Sequence, residues 1–277
     1  LGFCAGNNAA ARTARGKWLL FLNNDTWLEP DALERLVSGT EAVEAASGMP
    51  LILDYDDNSF QAIGFSGFDL FGLGVPAPPT TVTGPVLFPV GCAFLVLRQA
   101  FETVGGFDRE FFMYADEADL GFKLILAGHD SVAVPHAVIH HRGAANLKAM
   151  DDAATRGIRT SDTVRYYCNR NSLLVLLKVF RWIWIPMLPA HLFLFILEGS
   201  FSGLVTRRWG HVKAAFLDAI WDAWRLRGHV RVQRALLSAI RKRGDLWMLR
   251  HFLTWRLNRA YVYGQFIRFG LPKVERR

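Results

Sequence analysis

Apolar positions fall into short runs broken by polar or turn-forming residues, and the runs predict strands and helices in alternation. Strands are expected at 18–23, 49–53, 60–65, 68–71, 86–90, 93–97, 131–134 and 137–140, where apolar, β-branched and aromatic residues cluster. Helical spacing is expected over 30–46, 99–104 and 116–127, with a turn and helix within 1–16 and helices over most of the chain beyond 165. Residues 72–84, rich in Pro, Gly and Thr, predict a loop able to act as a flap. Strands alternating with helices imply a three-layer α/β sandwich with a mixed sheet. This layout divides the chain into an α/β part, 1–165, and a helical part, 166–277.

Charge sharpens the division. The chain carries a net charge of +7, but residues 1–200 hold 15 basic and 21 acidic side chains against 17 and 4 in residues 201–277. In the basic part the cations are interleaved with Trp221, Trp224, Leu226, Leu236, Leu237, Trp247, Phe252 and Trp255, the composition of helices that lie on anionic lipid, and nucleic acid is not the expected partner. A solvated bundle with Arg-rich faces is the alternative. Between the two parts, 182–197 is uncharged but shorter than the roughly twenty residues that span a bilayer. Pro186 and Pro189 interrupt it, so a re-entrant or interfacial segment is expected; a single span needs 199–205 as well. The three cysteines, Cys4, Cys92 and Cys168, are far apart with no CxxC pair, which suits a reducing cytoplasm and argues against a zinc site or a disulfide frame.

The candidate chemistry sits at the ends of apolar runs. Asn23-Asn24-Asp25 stops a buried run abruptly, which places Asp25 at the C-terminal end of what reads as a parallel strand, where ligands bind in open α/β sheets. A carboxylate there suits a hard divalent cation; capping of the following helix by Asp25 and Thr26 is the competing explanation. Asp116, Glu117 and Asp119 crowd a helix start, where one carboxylate is expected to gain proton affinity and serve as a general base. The simpler alternative is helix-terminus electrostatics, with Asp116 as the cap. His136, His140 and His141 follow at strand ends, where a neutral imidazole can ligate a metal.

The order GFCAGNN, LLFLNNDTWLEPDAL, GCAFLVLRQAFETVGGFDREFFMYADEADLGFKL, VPHAVIHHRG and RYYCNRN resembles the family-2 inverting glycosyltransferases of GT-A fold, in particular their rhamnosyltransferase-like branch, over residues 1–171. The resemblance implies a GT-A-like (Rossmann-like) mixed sheet. It implies Asp25 and His141 as ligands of Mn²⁺ or Mg²⁺, and Asn23 and Asn24 beside the nucleotide diphosphate. Asn8 would lie near the nucleotide, and Gly91-Cys92 would form a small-residue turn where donor and acceptor meet. Asp116-Glu117-Ala118-Asp119 matches the family's acidic segment with its first two acids exchanged. Glu117 is thus the expected base, Asp116 the fallback and Asp119 a further member. The implied reaction moves a sugar from a nucleotide-diphosphate donor to a hydroxyl of a glycan or lipid-linked saccharide, in cell-wall or polysaccharide synthesis. It would take place at the cytoplasmic face of the plasma membrane, with the enzyme peripheral or single-span. The family's first strands are missing ahead of Leu1, so an N-terminally truncated form is expected. Two rivals predict different chemistry: a metal-dependent phosphate-ester hydrolase, and a non-catalytic membrane-associated remnant. Arg170 is expected either to contact phosphate or to lie on a helix surface.

Overall fold

The computed structural model describes residues 2–142, 159–260 and 273–275. Its α/β part opens with α1 (Gly2–Thr13), β1 (Trp18–Leu22), β2 (Thr26–Leu28), α2 (Ala32–Glu41) and β3 (Ser47–Asp54). Short strands follow, β4 (Phe60–Ala62), β5 (Phe65–Phe68), β6 (Gly74–Pro76) and β7 (Gly84–Val86), then β8 (Ala93–Leu97) and α3 (Arg98–Thr103). The acid-led helix is α4 (Asp116–Leu126), followed by β9 (Ser131–His141) and β10 (Arg159–Ser161). The helical part comprises α5 (Asp162–Val179), α6 (Trp184–Thr206), α7 (Trp209–Val212), α8 (Asp218–Arg225), α9 (Arg227–Ile240) and α10 (Asp245–Phe252), with β11 (Lys273–Glu275) pairing β10.

The main sheet runs β1-β8-β3-β9-β2, with β4 beside β3 and β7 beside β9. Within this sheet, among the described residues, only β3 and β9 are parallel neighbours; β1 bonds to the antiparallel β8. The parallel surroundings expected for β1 are therefore replaced by one antiparallel ladder, although β1 still runs in the direction of β3 and β9. Period-two alternation sorts the side chains into two layers. Leu19, Phe21, Met49, Ile52, Phe94 and Val96 join the core built with Leu120 and Leu124 of α4. Leu95, Val132, Val134 and Ala137 pack with Leu36 of α2 on the other face. The three-layer expectation holds. Leu173, Leu174 and Leu176 of α5 belong to the same cluster as α4, so the first helix of the helical part completes the core of the sheet. At Gly121 the helix lies so close to Phe88 that an added Cβ would stand 2.1 Å from the Phe88 Cβ, and only glycine fits.

Several local expectations change. A strand, β2, separates Asp25 from α2, and the cap position of α2 is Asp31 without a side-chain bond, so Asp25 and Thr26 do not cap that helix. The two strands expected at 131–140 are one strand, bulged between Val134 and Val138, which pair with the consecutive Pro50 and Leu51. Of residues 72–84, expected to form a loop and flap, 77–83 have no regular structure, whereas 74–76 form β6 of the β5–β6 hairpin. Asp69 closes it by accepting from the N–H groups of Phe71 and Leu73. Asn258 ties it down, donating its backbone N–H to Asp69 and its side-chain amide to the Gly74 carbonyl. The loop expected through Ala153 lies outside the described residues over 143–158.

Candidate active site

The antiparallel β2–β9 ladder pairs Thr26 with His141, and the Arg142 N–H donates to the Asp25 carbonyl at 2.9 Å. This register brings the half-buried Asp25 carboxylate to the His141 ring, with Nε2 and Oδ1 3.4 Å apart. Thr26 Oγ1 donates to the Asn23 carbonyl at 2.6 Å and closes the turn that presents Asp25. Behind His141 stands Gln61, which the sequence did not flag. Its amide nitrogen donates to Asp54 Oδ2 at 2.9 Å and to the His141 carbonyl at 2.8 Å, so its oxygen faces His141 Nδ1 at 3.1 Å. With two acceptors fixing the amide, its oxygen accepts from Nδ1, and Nε2 is the ring nitrogen turned toward Asp25. Metal-binding imidazoles are oriented in this way. His140 points elsewhere, toward Glu29 and the Trp27 ring.

Gly91-Cys92 connects this pair to the acidic helix. The Asn23 N–H donates to the Cys92 carbonyl at 2.8 Å, and a Cβ at Gly91 would lie 3.6 Å from Glu117 Oε2. Asp25 and Glu117 both act on the buried Cys92 thiol, which burial and then Asp25 and Glu117 push up to about 12, making it an inert wall. Burial and then the Asp116 charge raise the Glu117 carboxyl; burial also raises Asp116, partly offset by N–H donors that include Tyr114. Asp25, His141, Gly91, Cys92 and Glu117 thus gather at one end of the sheet, with Asn23 beside them and Asn24 exposed on the same turn.

Two predicted residues are engaged differently. Asn8 grips the turn before α4, its amide donating to the Phe107 carbonyl at 2.7 Å and accepting from the Phe107 N–H at 3.0 Å. Asp119 is buried between cations, with Lys178 at 2.7 Å and Lys123 at 3.2 Å. A cavity of about 750 Å³ opens beside Asn8, Phe107 and Leu236, and Asp25, Glu117 and His141 do not line it.

The approach to α4 is backbone of unusual form. Phe112, Tyr114 and Ala115 have φ of 61°, 67° and 55°. Phe112 is the centre of a γ-turn of the rare positive-φ kind, closed by the Met113 N–H on the Phe111 carbonyl at 2.6 Å. Non-glycine residues in such conformations each cost about 1–3 kcal/mol. Arg170 is buried and gives its guanidinium to the carbonyls of Glu110 and Phe111, which corrects both expectations for it, phosphate contact and surface charge.

Asp25 and His141 fit a divalent cation as adjacent ligands, since neighbouring ligands at about 2.1 Å in an octahedral shell lie about 3 Å apart, and a carboxylate with a neutral imidazole suits Mn²⁺. Among the described residues no group of three or more His, Cys, Asp and Glu side chains converges, so further ligands would come from water or a bound diphosphate.

The family model described as "Glycosyltransferase like family 2" matches residues 2–160. N-acetylglucosaminyl-diphospho-decaprenol L-rhamnosyltransferase of Mycobacterium tuberculosis is 30% identical over 174 residues, covering 56% of this chain and 56% of that protein. The O-antigen biosynthesis protein RfbC of Myxococcus xanthus is 31% identical over 151 residues, 50% of this chain and 12% of that protein. The chain thus spans just over half the length of the mycobacterial relative. In fold it is similar to the crystal structure of GalNAc-T7 with UDP, GalNAc and Mn²⁺, with a TM-score of 0.59 at 14% identity over 99% of this chain and 45% of that one.

Proposed function

The chain belongs to glycosyltransferase family 2, and we propose that it moves a sugar from a nucleotide-diphosphate donor to a hydroxyl of a glycan or lipid-linked saccharide, with inversion. The observation that carries this is the grouping of Asp25 and His141, 3.4 Å apart, with Glu117 beside the Gly91-Cys92 turn. Asp25 and His141 would hold Mn²⁺ or Mg²⁺, whose positive charge offsets the charge of a departing diphosphate. Asn23 and Asn24 line the turn that receives the diphosphate. Glu117, kept basic by burial and by Asp116, takes the proton of the acceptor hydroxyl as that oxygen attacks the anomeric carbon. Gly91 keeps the space in front of Glu117 open. The nucleoside diphosphate leaves from the opposite face in a single displacement, and no covalent intermediate forms. L-Rhamnose is the first donor sugar to test, with an N-acetylglucosaminyl-diphosphate lipid as acceptor, because those are the terms of the mycobacterial relative's name.

Acceptor-dependent release of nucleoside diphosphate by the whole protein tests this reading. Asp25→Ala is expected to abolish metal-dependent donor binding, measured by calorimetry with and without Mn²⁺. Release without any acceptor would point instead to hydrolysis.

The catalytic part is assigned to 1–165 and a membrane-associating part to 166–277. Among the described residues one helix, 184–205, is long and apolar enough to cross a membrane. Its inner face is pinned, with His191 on the Phe71 carbonyl and Glu198 paired with Arg259. Its outer face exposes Phe193, Ile196, Phe201 and Leu204 at helical spacing, continued by Trp209, Trp221 and Trp224. A helix held on one side and apolar on the other suits insertion along the interface rather than across it, on the cytoplasmic face, and nearby Arg208, Lys213 and Arg227 favour anionic lipid. The protein is expected to float with phosphatidylglycerol vesicles in a density gradient, and a variant carrying Ile196→Glu and Leu204→Glu to remain at the bottom.

A further inference from the structure

One face of α5 is fitted to the segment that delivers the acids. Tyr167, Arg170, Asn171 and Lys178 recur at the spacing of a single helix face. Tyr167 stacks on Phe112, with ring centroids 5.3 Å apart. Lys178 holds Asp108 before the segment and Asp119 after it, at 2.5 and 2.7 Å. Between these anchors the fully buried Asn171 donates its amide nitrogen to three carbonyls, those of Phe111 at 2.9 Å, Met113 at 2.8 Å and Tyr114 at 2.8 Å. The Asn171 oxygen accepts from Arg170 Nε at 2.9 Å, which fixes the amide and aims its donors at the turn. Each carbonyl that Asn171 holds immediately precedes one of the three residues at positive φ, Phe112, Tyr114 and Ala115.

We propose that Asn171, steadied by Arg170, is a positioning residue that keeps the strained 111–115 turn closed and so sets where Glu117 meets the acceptor hydroxyl. The inference rests on Glu117 as the base and deepens that reading by placing a determinant of catalytic geometry in the helical half of the chain. The physical case is one of number and type. An NH2 group aimed at three carbonyls crowded on one turn offsets the cost of that backbone and the mutual repulsion of the carbonyls. No ordinary helix-surface asparagine has such a set of partners. Without it the turn can relax toward negative φ, and α4 then begins from a different point.

The test uses the whole protein with Asn171→Ala, Asn171→Asp and Ala115→Gly. In Asn171→Ala, amide hydrogen exchange over 112–117 is expected to quicken at least about tenfold, with the β3 and β9 amides unchanged. Its kcat is expected to fall about 100-fold with donor KM within about threefold, since a small misplacement of a catalytic group has that effect. Asn171→Asp, isosteric but without the donors, is expected to be at least as impaired. Adding Ala115→Gly to Asn171→Ala is expected to restore about tenfold of the lost kcat, because glycine adopts the positive φ without strain. A role confined to packing would lower the melting temperature and leave kcat of the folded fraction unchanged. Unaltered exchange over 112–117, kcat within threefold of the parent, or no recovery on adding Ala115→Gly each overturns the proposal. If Asn171→Ala does not fold, Arg170→Gln serves, with a milder form of the same expected signature. Absence of any transfer by the parent would overturn the assigned reaction alone, because the exchange measurement tests the turn without reference to activity.

Discussion

Glu117→Gln in the whole protein is expected to lower kcat about 10³-fold while leaving donor KM within about threefold. The substitution keeps size and removes the proton acceptor, and general-base groups contribute about 10²–10⁴-fold. Glu117 stands at the Gly91-Cys92 turn and is not one of the two residues, Asp25 and His141, that would hold the metal and donor diphosphate, so an effect on turnover without one on binding is the signature of a base. The pH profile provides an independent check. Transfer needs the carboxylate, so kcat rises with pH as Glu117 loses its proton and then levels off. Burial and the Asp116 charge raise that pKa, so the rise is expected above the ordinary 4.5. Asp116→Asn removes the neighbouring negative charge and is expected to move the rise to lower pH. A fully active Glu117→Gln beside an inactive Asp116→Asn would transfer the role to Asp116.

Sequence patterning reached the parts of the site that local chemistry writes. Polar residues ending an apolar run marked Asn23–Asp25, crowding of acids marked α4, and strand-end histidines marked His141; the β2–β9 register then brings Asp25 and His141 together. It did not reach what depends on partners distant along the chain. Gln61 is one ordinary amide in sequence, and its importance comes from standing 3.1 Å from a ring 80 positions away. Asn8 was read through its motif, whereas in space it holds the Phe107 backbone. Residues 111–115 contain neither Gly nor Asn to announce positive φ, so the strained turn was invisible, and with it the meaning of Arg170-Asn171. The β6 arm of the β5–β6 hairpin read as part of a free loop because its staple, Asn258, lies far beyond it in sequence. Topology followed the same rule. Alternating blocks gave the three layers, but the antiparallel pairing of β1 with β8 depends on which strands are neighbours, and the pattern of apolar residues is alike for either direction.

Lys178→Met is expected to destabilise the protein by about 3–5 kcal/mol, the usual consequence of removing one partner from a buried ion pair. The ammonium lies between Asp108 and Asp119, and all three side chains are almost wholly buried. Burial opposes the charge on Lys178, yet Asp119 and Asp108 outweigh it and raise the lysine's pKa. Burial likewise opposes ionisation of Asp108, but Lys178 and then His229 hold its carboxyl down at about 2. A depressed carboxyl contributes stability above its unfolded value of 3.8 that disappears as pH falls through about 2. The raised lysine contributes below its unfolded 10.5 and loses its contribution as pH climbs through its folded value. The parent is therefore expected to keep this stabilisation throughout the neutral range. In Lys178→Met the main force lowering Asp108 is gone while burial remains, so that carboxyl takes up a proton more readily on folding. The deficit relative to the parent is then expected to shrink as pH drops from 7 toward 4.5, the reverse of ordinary acid sensitivity. Chemical unfolding at the two pH values reads the difference directly. A deficit that stays constant or grows on acidification would mean that Lys178 matters for packing rather than for charge. Since the same ammonium ties α5 to both ends of the segment carrying Glu117, the variant links the fold to the candidate site: the buried charge that stabilises the core also fixes the frame that holds Glu117, the proposed base.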